Sequence, residues 1–212
     1  MNSPSIVALA LALAVPTALG ANADGFDVLA GIMDTSKSEI NARQAIQSSK
    51  QGFQDSHHVK KYREGHWQFF QAKSAAKPGE FCSALFLREG KGVAILGPGG
   101  SYKGALLMLF NTHDKAGFPA AAQPRPIAVT LTQGAGAPVN TRALNYKVGS
   151  WETPVVVFAV PTVDAALAGM EDRLAFHLQH EGKTLVNVEW HSGIRARGEI
   201  RKCLSGEPFG KE

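Results

Sequence analysis

No charged side chain occurs before Asp24, and the 212 residues contain only two cysteines, Cys82 and Cys203. The charge-free stretch holds one unbroken apolar run of ten residues, 6–15, followed by Pro16 and small residues ending in Ala21-Asn22-Ala23. That is the order of an h-region and an A-x-A cleavage site, so residues 1–23 are expected to be a secretory signal peptide cut near Ala23. A second small-residue site, Ala18-Leu19-Gly20, lies just before it. As a helix the run would be about 15 Å long, half the hydrocarbon thickness of a bilayer, which excludes a span. The longest later apolar runs, 105–110 and 155–160, are six residues each and exclude a membrane-crossing helix elsewhere. The expected location is periplasmic or extracellular.

Scarcity of cysteine narrows the chemistry further. Two thiols carried into an oxidising space tend to join, so a Cys82–Cys203 disulfide is expected, with two buried thiols as the alternative. It would close a loop of about 120 residues, for which chain entropy alone gives somewhat under 5 kcal/mol. Catalytic signatures are also missing. The stretch 97–104, Gly-Pro-Gly-Gly-Ser-Tyr-Lys-Gly, places Lys103 between Tyr102 and Gly104 and so fails the phosphate-loop spacing. Ser101 has Gly99 two residues before it but Lys103 two after, which fails the nucleophile-elbow pattern. No His-Glu-x-x-His occurs. These glycines read as a connection between strands. Aromatic residues make up 8% of the chain and do not interleave with a basic stripe, so no nucleic acid is expected as a partner. The net charge of +4 is mild. It permits an anionic partner without specifying one.

What the sequence does contain divides at about residue 67. Residues 24–66 form an N-terminal extension rich in Ser, Gln, Asn and Lys, with Phe26, Leu29, Met33 and Ile40 spaced as on a helix face. The stripe continues thinly through Ala45, Ile46 and Phe53, so this extension is weakly helical or disordered. Residues 67–212 form one β-rich domain. Strands are predicted at 67–72, 80–88, 92–96, 104–110, 127–132, 155–160, 173–179 and 184–190, from short β-branched and aromatic runs broken by Gly and Pro. The fold class is mainly β, an antiparallel sandwich or open barrel. A C-terminal helix is predicted over 194–204 behind Ser192, with Ala196, Ile200, Cys203 and Leu204 at helical spacing and Gly206 just past its end. A short helix is predicted at 163–169. The tripeptide Glu-Gly-Lys occurs at 89–91 and at 181–183 and predicts two hairpins. A three-residue loop would pair Leu178 with Val186 and Phe176 with Val188, and likewise Leu87 with Val93 and Leu85 with Ile95.

Two groups of side chains are candidate sites. His177, Glu189 and His191 would share the polar face of the second hairpin if its pairing runs through His191, a set able to hold Zn²⁺ or move protons. Lys60, Lys61 and Arg63, together with Arg195 and Arg197, are candidate anion-binding residues. His57, His58 and His66 flank the first group, while Arg201 and Lys202 extend the second.

The layout of a Trp opening the first strand, a Cys in an early strand, several Gly-turned strands, and Val188-Glu-Trp-His-Ser-Gly-Ile running into a helix ending near Arg201-Lys-Cys-Leu204 resembles the exported invasion-associated locus B proteins of bacteria. The resemblance spans roughly 67–204 and implies a non-catalytic envelope protein. The expectation is therefore an exported binding or interaction module without cofactor, its partner an anionic envelope polymer or another envelope protein. The alternative is a metal-assisted hydrolase using His177, Glu189 and His191.

Overall fold

The computed structural model describes residues 56–73, 75–119, 121, 123–148 and 152–210. The expected signal peptide and most of the N-terminal extension lie outside the described residues. Helix α1 (Ser56–Glu64) leads into strands β1 (His66–Gln71), β2 (Cys82–Arg88), β3 (Lys91–Leu96), β4 (Ala105–Asn111), β5 (Arg125–Gln133), β6 (Val139–Val148) and β7 (Thr153–Val160). Helix α2 (Val163–Ala168), strands β8 (Leu174–His180) and β9 (Lys183–Trp190) and helix α3 (Gly193–Leu204) complete the chain. All nine strands belong to one sheet in the order β1-β2-β3-β4-β7-β6-β5-β8-β9. Every pairing is antiparallel. The Pro-rich stretch after β4 is the crossover that carries the chain past two strand positions to β5, from which β6 and β7 step back until β7 lies beside β4. Among the described residues no helix is long and apolar enough to cross a membrane.

The sheet curls until its first and last strands meet through side chains. Trp67 on β1 and Trp190 on β9 have ring centroids 5.3 Å apart, and Phe86 and Phe176 flank the pair at 5.3 and 4.7 Å. Of the two expected architectures this is the open barrel: one sheet whose ends approach without a backbone ladder between them. Its concave face carries the larger core, including Cys82, Ala84 and Phe86 of β2, Leu107 and Leu109 of β4, Phe158 of β7, Phe176 and Leu178 of β8, and Val186 and Val188 of β9. Close-packed aromatic and aliphatic side chains fill this interior.

All eight predicted strands are present, and a ninth, β6, was not predicted. Its sequence, VNTRALNYKV, is rich in Asn and charge and lacks a clean apolar alternation. Tertiary context supplies the pairing that propensity does not, since β6 lies between β5 and β7.

The two hairpins differ from expectation in an instructive way. Both turns have two residues, not three: Glu89-Gly90 with φ of 49° and 73°, and Glu181-Gly182 with φ of 49° and 75°. Two successive positive φ values define the type I′ turn, which matches the twist of the strands it joins. In the second hairpin a bulge next to Leu178 and Gln179 shifts the register, so that the expected pairs Leu178–Val186 and Phe176–Val188 form after all. In the first there is no bulge, and the register is one residue away from expectation. Phe86 pairs with Val93 and Ala84 with Ile95, while Leu87 and Leu85 face Gly92 and Ala94. A one-residue shift moves side chains to the opposite face. Nothing in CSALFLR opposed to KGVAIL reveals the error, because nearly every residue of both strands is buried. Strands covered on both faces carry no polar alternation to mark which side is which.

The C-terminal helix forms as expected and ends in a Schellman motif. Gly206, at φ +83°, donates its N–H to the Cys203 carbonyl, and Glu207 donates to Lys202. Ala196, Ile200 and Cys203 point into the concave core. The sulfurs of Cys82 and Cys203 lie at disulfide distance, with Cα atoms 5.8 Å apart across 121 residues of sequence. The bridge thus ties the last turn of α3 to the first residue of β2, a strand flanked on both sides by neighbours.

The glycine-rich segment after β3 is packed rather than open. Gly97, Gly99 and Gly104 are buried. A Cβ on Gly99 would lie 2.3 Å from the ring of Phe81, and one on Gly97 would lie 2.8 Å from the Cys82 carbonyl oxygen. The glycines let this loop close over Phe81, which is the reason for their density. Tyr102 anchors the loop by donating its phenol proton to the Val160 carbonyl at 3.1 Å.

Candidate anion-binding site

Helix α1 has no acidic residue in its first turn and carries Lys61 and Arg63 in its last, the end at which the helix dipole favours cations. Gly65 then reverses the chain at φ +87°, donating its N–H to the Lys61 carbonyl. A side chain there would strike the ring of Phe86, since a Cβ would lie 2.3 Å from its Cζ. The end of α1 is therefore pressed onto the sheet. It is held at two further points, where Glu89 N–H donates to the Tyr62 carbonyl and Arg88 Nε donates to the Arg63 carbonyl.

The second basic group starts from β9. Strand pairing ends at Trp190, whose indole N–H donates to the Glu171 carbonyl, and Gly193 N–H donates to the Asp172 carbonyl. These bonds turn the chain sharply into α3. Ser192 sits at φ 57° and gives no side-chain cap to the helix. Its hydroxyl lies 3.0 Å from Nδ1 of His191 instead.

His191 joins the two groups. Its Nε2 lies 3.2 Å from the carbonyl oxygen of Gly65, 126 positions away in sequence. A carbonyl oxygen only accepts, so Nε2 is the donor to Gly65, while the Ser192 hydroxyl can pair with Nδ1 in either direction. The imidazole also meets Phe86 edge-on at 5.3 Å. The last turn of α1 and the first turn of α3 are thus neighbours across one histidine. Lys60, Arg63 and Arg195 are exposed, while Lys61 and Arg197 are half-buried.

Acidic residues also lie at this junction: Glu64 precedes Gly65, Glu89 is bonded through its N–H to Tyr62, and Glu171 and Asp172 hold the turn into α3 through their carbonyls. Glu199 on α3 accepts from Lys202 Nζ at 2.7 Å and from the Gly210 backbone N–H at 2.6 Å. The Lys202 hydrogen bond, followed by the Gly210 N–H and the charges of Lys202 and Arg195, holds its carboxyl below the ordinary carboxylate range. In the sequence Glu199 is a single acidic residue among Arg195, Arg197, Arg201 and Lys202. Its role as the anchor of the C-terminal tail, where Phe209 also stacks on Phe69 with centroids 5.9 Å apart, had no local signal.

The proposed metal set does not converge. His177 lies opposite Asn187 and has Nε2 3.0 Å from Thr184 Oγ1. Glu189 pairs with Arg173 Nε at 3.2 Å. His191 lies beyond the last strand pair, so the shared face that the sequence suggested stops one residue short of it. Among the described residues no group of three or more His, Cys, Asp or Glu side chains is placed to hold a metal ion.

Comparison with protein-family models finds no match, and neither do comparisons with curated proteins and with solved structures.

Proposed function

We propose that this chain is an exported, non-catalytic binding module whose basic surface, built from Lys60, Lys61 and Arg63 on α1 and Arg195 and Arg197 on α3, holds an anionic polymer of the cell envelope. The observation that carries the reading is the contact of His191 with Gly65, which draws two basic segments distant in sequence onto one junction. Cations clustered on a surface raise the local concentration of a polyanion and hold it through many weak, salt-sensitive contacts. The disulfide-distance pair Cys82–Cys203 suits an oxidising compartment, as does the signal-peptide pattern of residues 1–23. The sequence layout of 67–204 resembles that of the invasion-associated locus B proteins, and the resemblance implies the same kind of envelope protein.

Chromatography on an immobilised sulfated polysaccharide tests the binding. Lys60→Ala/Lys61→Ala/Arg63→Ala and Arg195→Ala/Arg197→Ala should each elute at lower salt than the parent chain, and the combined variant at lower salt still. Equal elution of all four proteins would end the proposal. The compartment is tested separately, by mass spectrometry of the chain recovered from its native host, which should begin near Asp24.

A further inference from the structure

Helix α3 has two faces. Its buried residues are Gly193, Ala196, Glu199, Ile200 and Cys203, and at about 100° per residue they share one side of the helix. On the opposite side Ile194, Gly198 and Arg201 fall in line, with Arg195 and Lys202 on one flank and Arg197 on the other. Ile194 is 52% exposed. A Cβ on Gly198 would meet nothing within 4 Å, so the line is open beyond Ile194 as well. The single carboxylate of α3, Glu199, is on the buried side and is bonded to Lys202 Nζ and the Gly210 N–H, so no acidic side chain interrupts the outer face. Glu171 and Asp172 approach from the buried side, their carbonyls accepting from Trp190 and Gly193.

A lone apolar side chain on a surface is ordinary and means nothing by itself. Among the described residues two large apolar side chains are exposed, Ile194 and Val139. Val139 opens β6. Ile194 stands in the first turn of α3, the turn that His191 holds beside the last turn of α1 through Gly65. It therefore belongs to the junction that carries Lys60, Lys61 and Arg63 on one side and Arg195 and Arg197 on the other, with Glu64 offsetting one of these charges.

We infer that this surface also seats on an anionic phospholipid bilayer, with Ile194 entering the headgroup layer and Arg195, Arg197 and Arg201 on lipid phosphates. The inference rests on the cation surface assigned above and gives it a second kind of partner. A dissolved polyanion is held by charge alone and leaves an isoleucine in water. A bilayer attracts the same cations and also removes that side chain from water. Complementary charge and an apolar tip in one place fit the bilayer. The face is presented rigidly, because the inner side of α3 is core and Cys203 lies at disulfide distance from Cys82. Docking then orders little chain, which favours binding through few side chains.

Co-sedimentation with vesicles of phosphatidylglycerol and phosphatidylcholine, set against vesicles of phosphatidylcholine alone, tests the docking on the full chain. All proteins compared share one N-terminus, so differences among them report the α3 surface. The parent should bind the anionic vesicles more tightly than the neutral ones, and less tightly as salt rises. Ile194→Ser should weaken binding to the anionic vesicles about fivefold, while its elution from the sulfated polysaccharide stays that of the parent. Ile194→Trp should strengthen vesicle binding, since indole favours the interface. Val139→Ser should change neither measurement, and Arg195→Ala/Arg197→Ala should weaken both. Equal vesicle binding by the parent, Ile194→Ser and Ile194→Trp overturns the inference and leaves the polyanion proposal standing. An equal loss in Val139→Ser, or a parent that does not distinguish anionic from neutral vesicles, overturns it as well.

Discussion

The indole N–H of Trp67 donates to the backbone carbonyl of His191 at 2.5 Å, across 124 residues of sequence. Trp67 lies on the first strand of the sheet order and His191 directly follows the last, so this bond and the tilted contact of the Trp67 and Trp190 rings are what draw the two ends of the sheet together. No backbone ladder joins β1 to β9, so the approach of the two edges rests on such side-chain contacts.

Trp67→Phe keeps an aromatic ring at the seam and removes the donor. The His191 carbonyl then loses a partner in a partly buried place, which costs about 1–3 kcal/mol. Urea unfolding should show the loss as a lower midpoint with little change in slope. A midpoint equal to that of the parent would mean that the seam is held by other contacts. Near-ultraviolet circular dichroism should also change, because the Trp67–Trp190 pair is reorganised.

The bond between Cys82 and Cys203 joins the terminal helix to the sheet, and its removal should be felt globally. Cys203→Ser with Cys82→Ser is expected to lower stability by about 2–4 kcal/mol. A fall in thermal midpoint of the double variant, matched by the parent in reductant, checks this. Non-reducing peptide mapping of the parent should recover one linked peptide pair and no alkylated cysteine.

Glu199 gives a stability contribution with a defined pH sign. Its carboxyl titrates lower in the folded chain than in the unfolded one, chiefly because Lys202 donates to it. The contribution is therefore complete above the ordinary carboxylate pKa and is lost as pH falls through the depressed folded value. Glu199→Gln should flatten the acid limb of the stability curve and, at neutral pH, speed hydrogen exchange at the Gly210 amide that donates to it. An acid limb identical to that of the parent would show that the carboxylate contributes nothing.

Glycines with similar φ should respond differently to alanine. At Gly182, φ is +75° and an added Cβ meets nothing within 4 Å, so the cost is the left-handed backbone alone, about 1–2 kcal/mol. At Gly65, φ is +87° and the Cβ would run into the buried ring of Phe86 at 2.3 Å. Gly65→Ala should therefore lower the urea midpoint more than Gly182→Ala does. Gly65→Ala should also weaken retention on the sulfated polysaccharide, because it displaces the end of α1 from His191.

Local patterns in the sequence were enough for eight strands, both helices of the β domain's second half, the glycine that ends α3, and the cysteine pair, since each depends on neighbours within a few residues or on there being only two thiols to join. They were enough to find the basic residues but not to bring them together. That required His191 to reach Gly65, a contact between segments with no local relation. Strand β6 and the register of β2 against β3 were also decided at the tertiary level. Asn-rich β6 is held by the strands on either side of it, and a strand buried on both faces has no polar side to record its orientation. The convergence of Trp67, Phe86, Phe176 and Trp190 likewise depends on the curl of the whole sheet, because only that curl sets its first and last strands face to face.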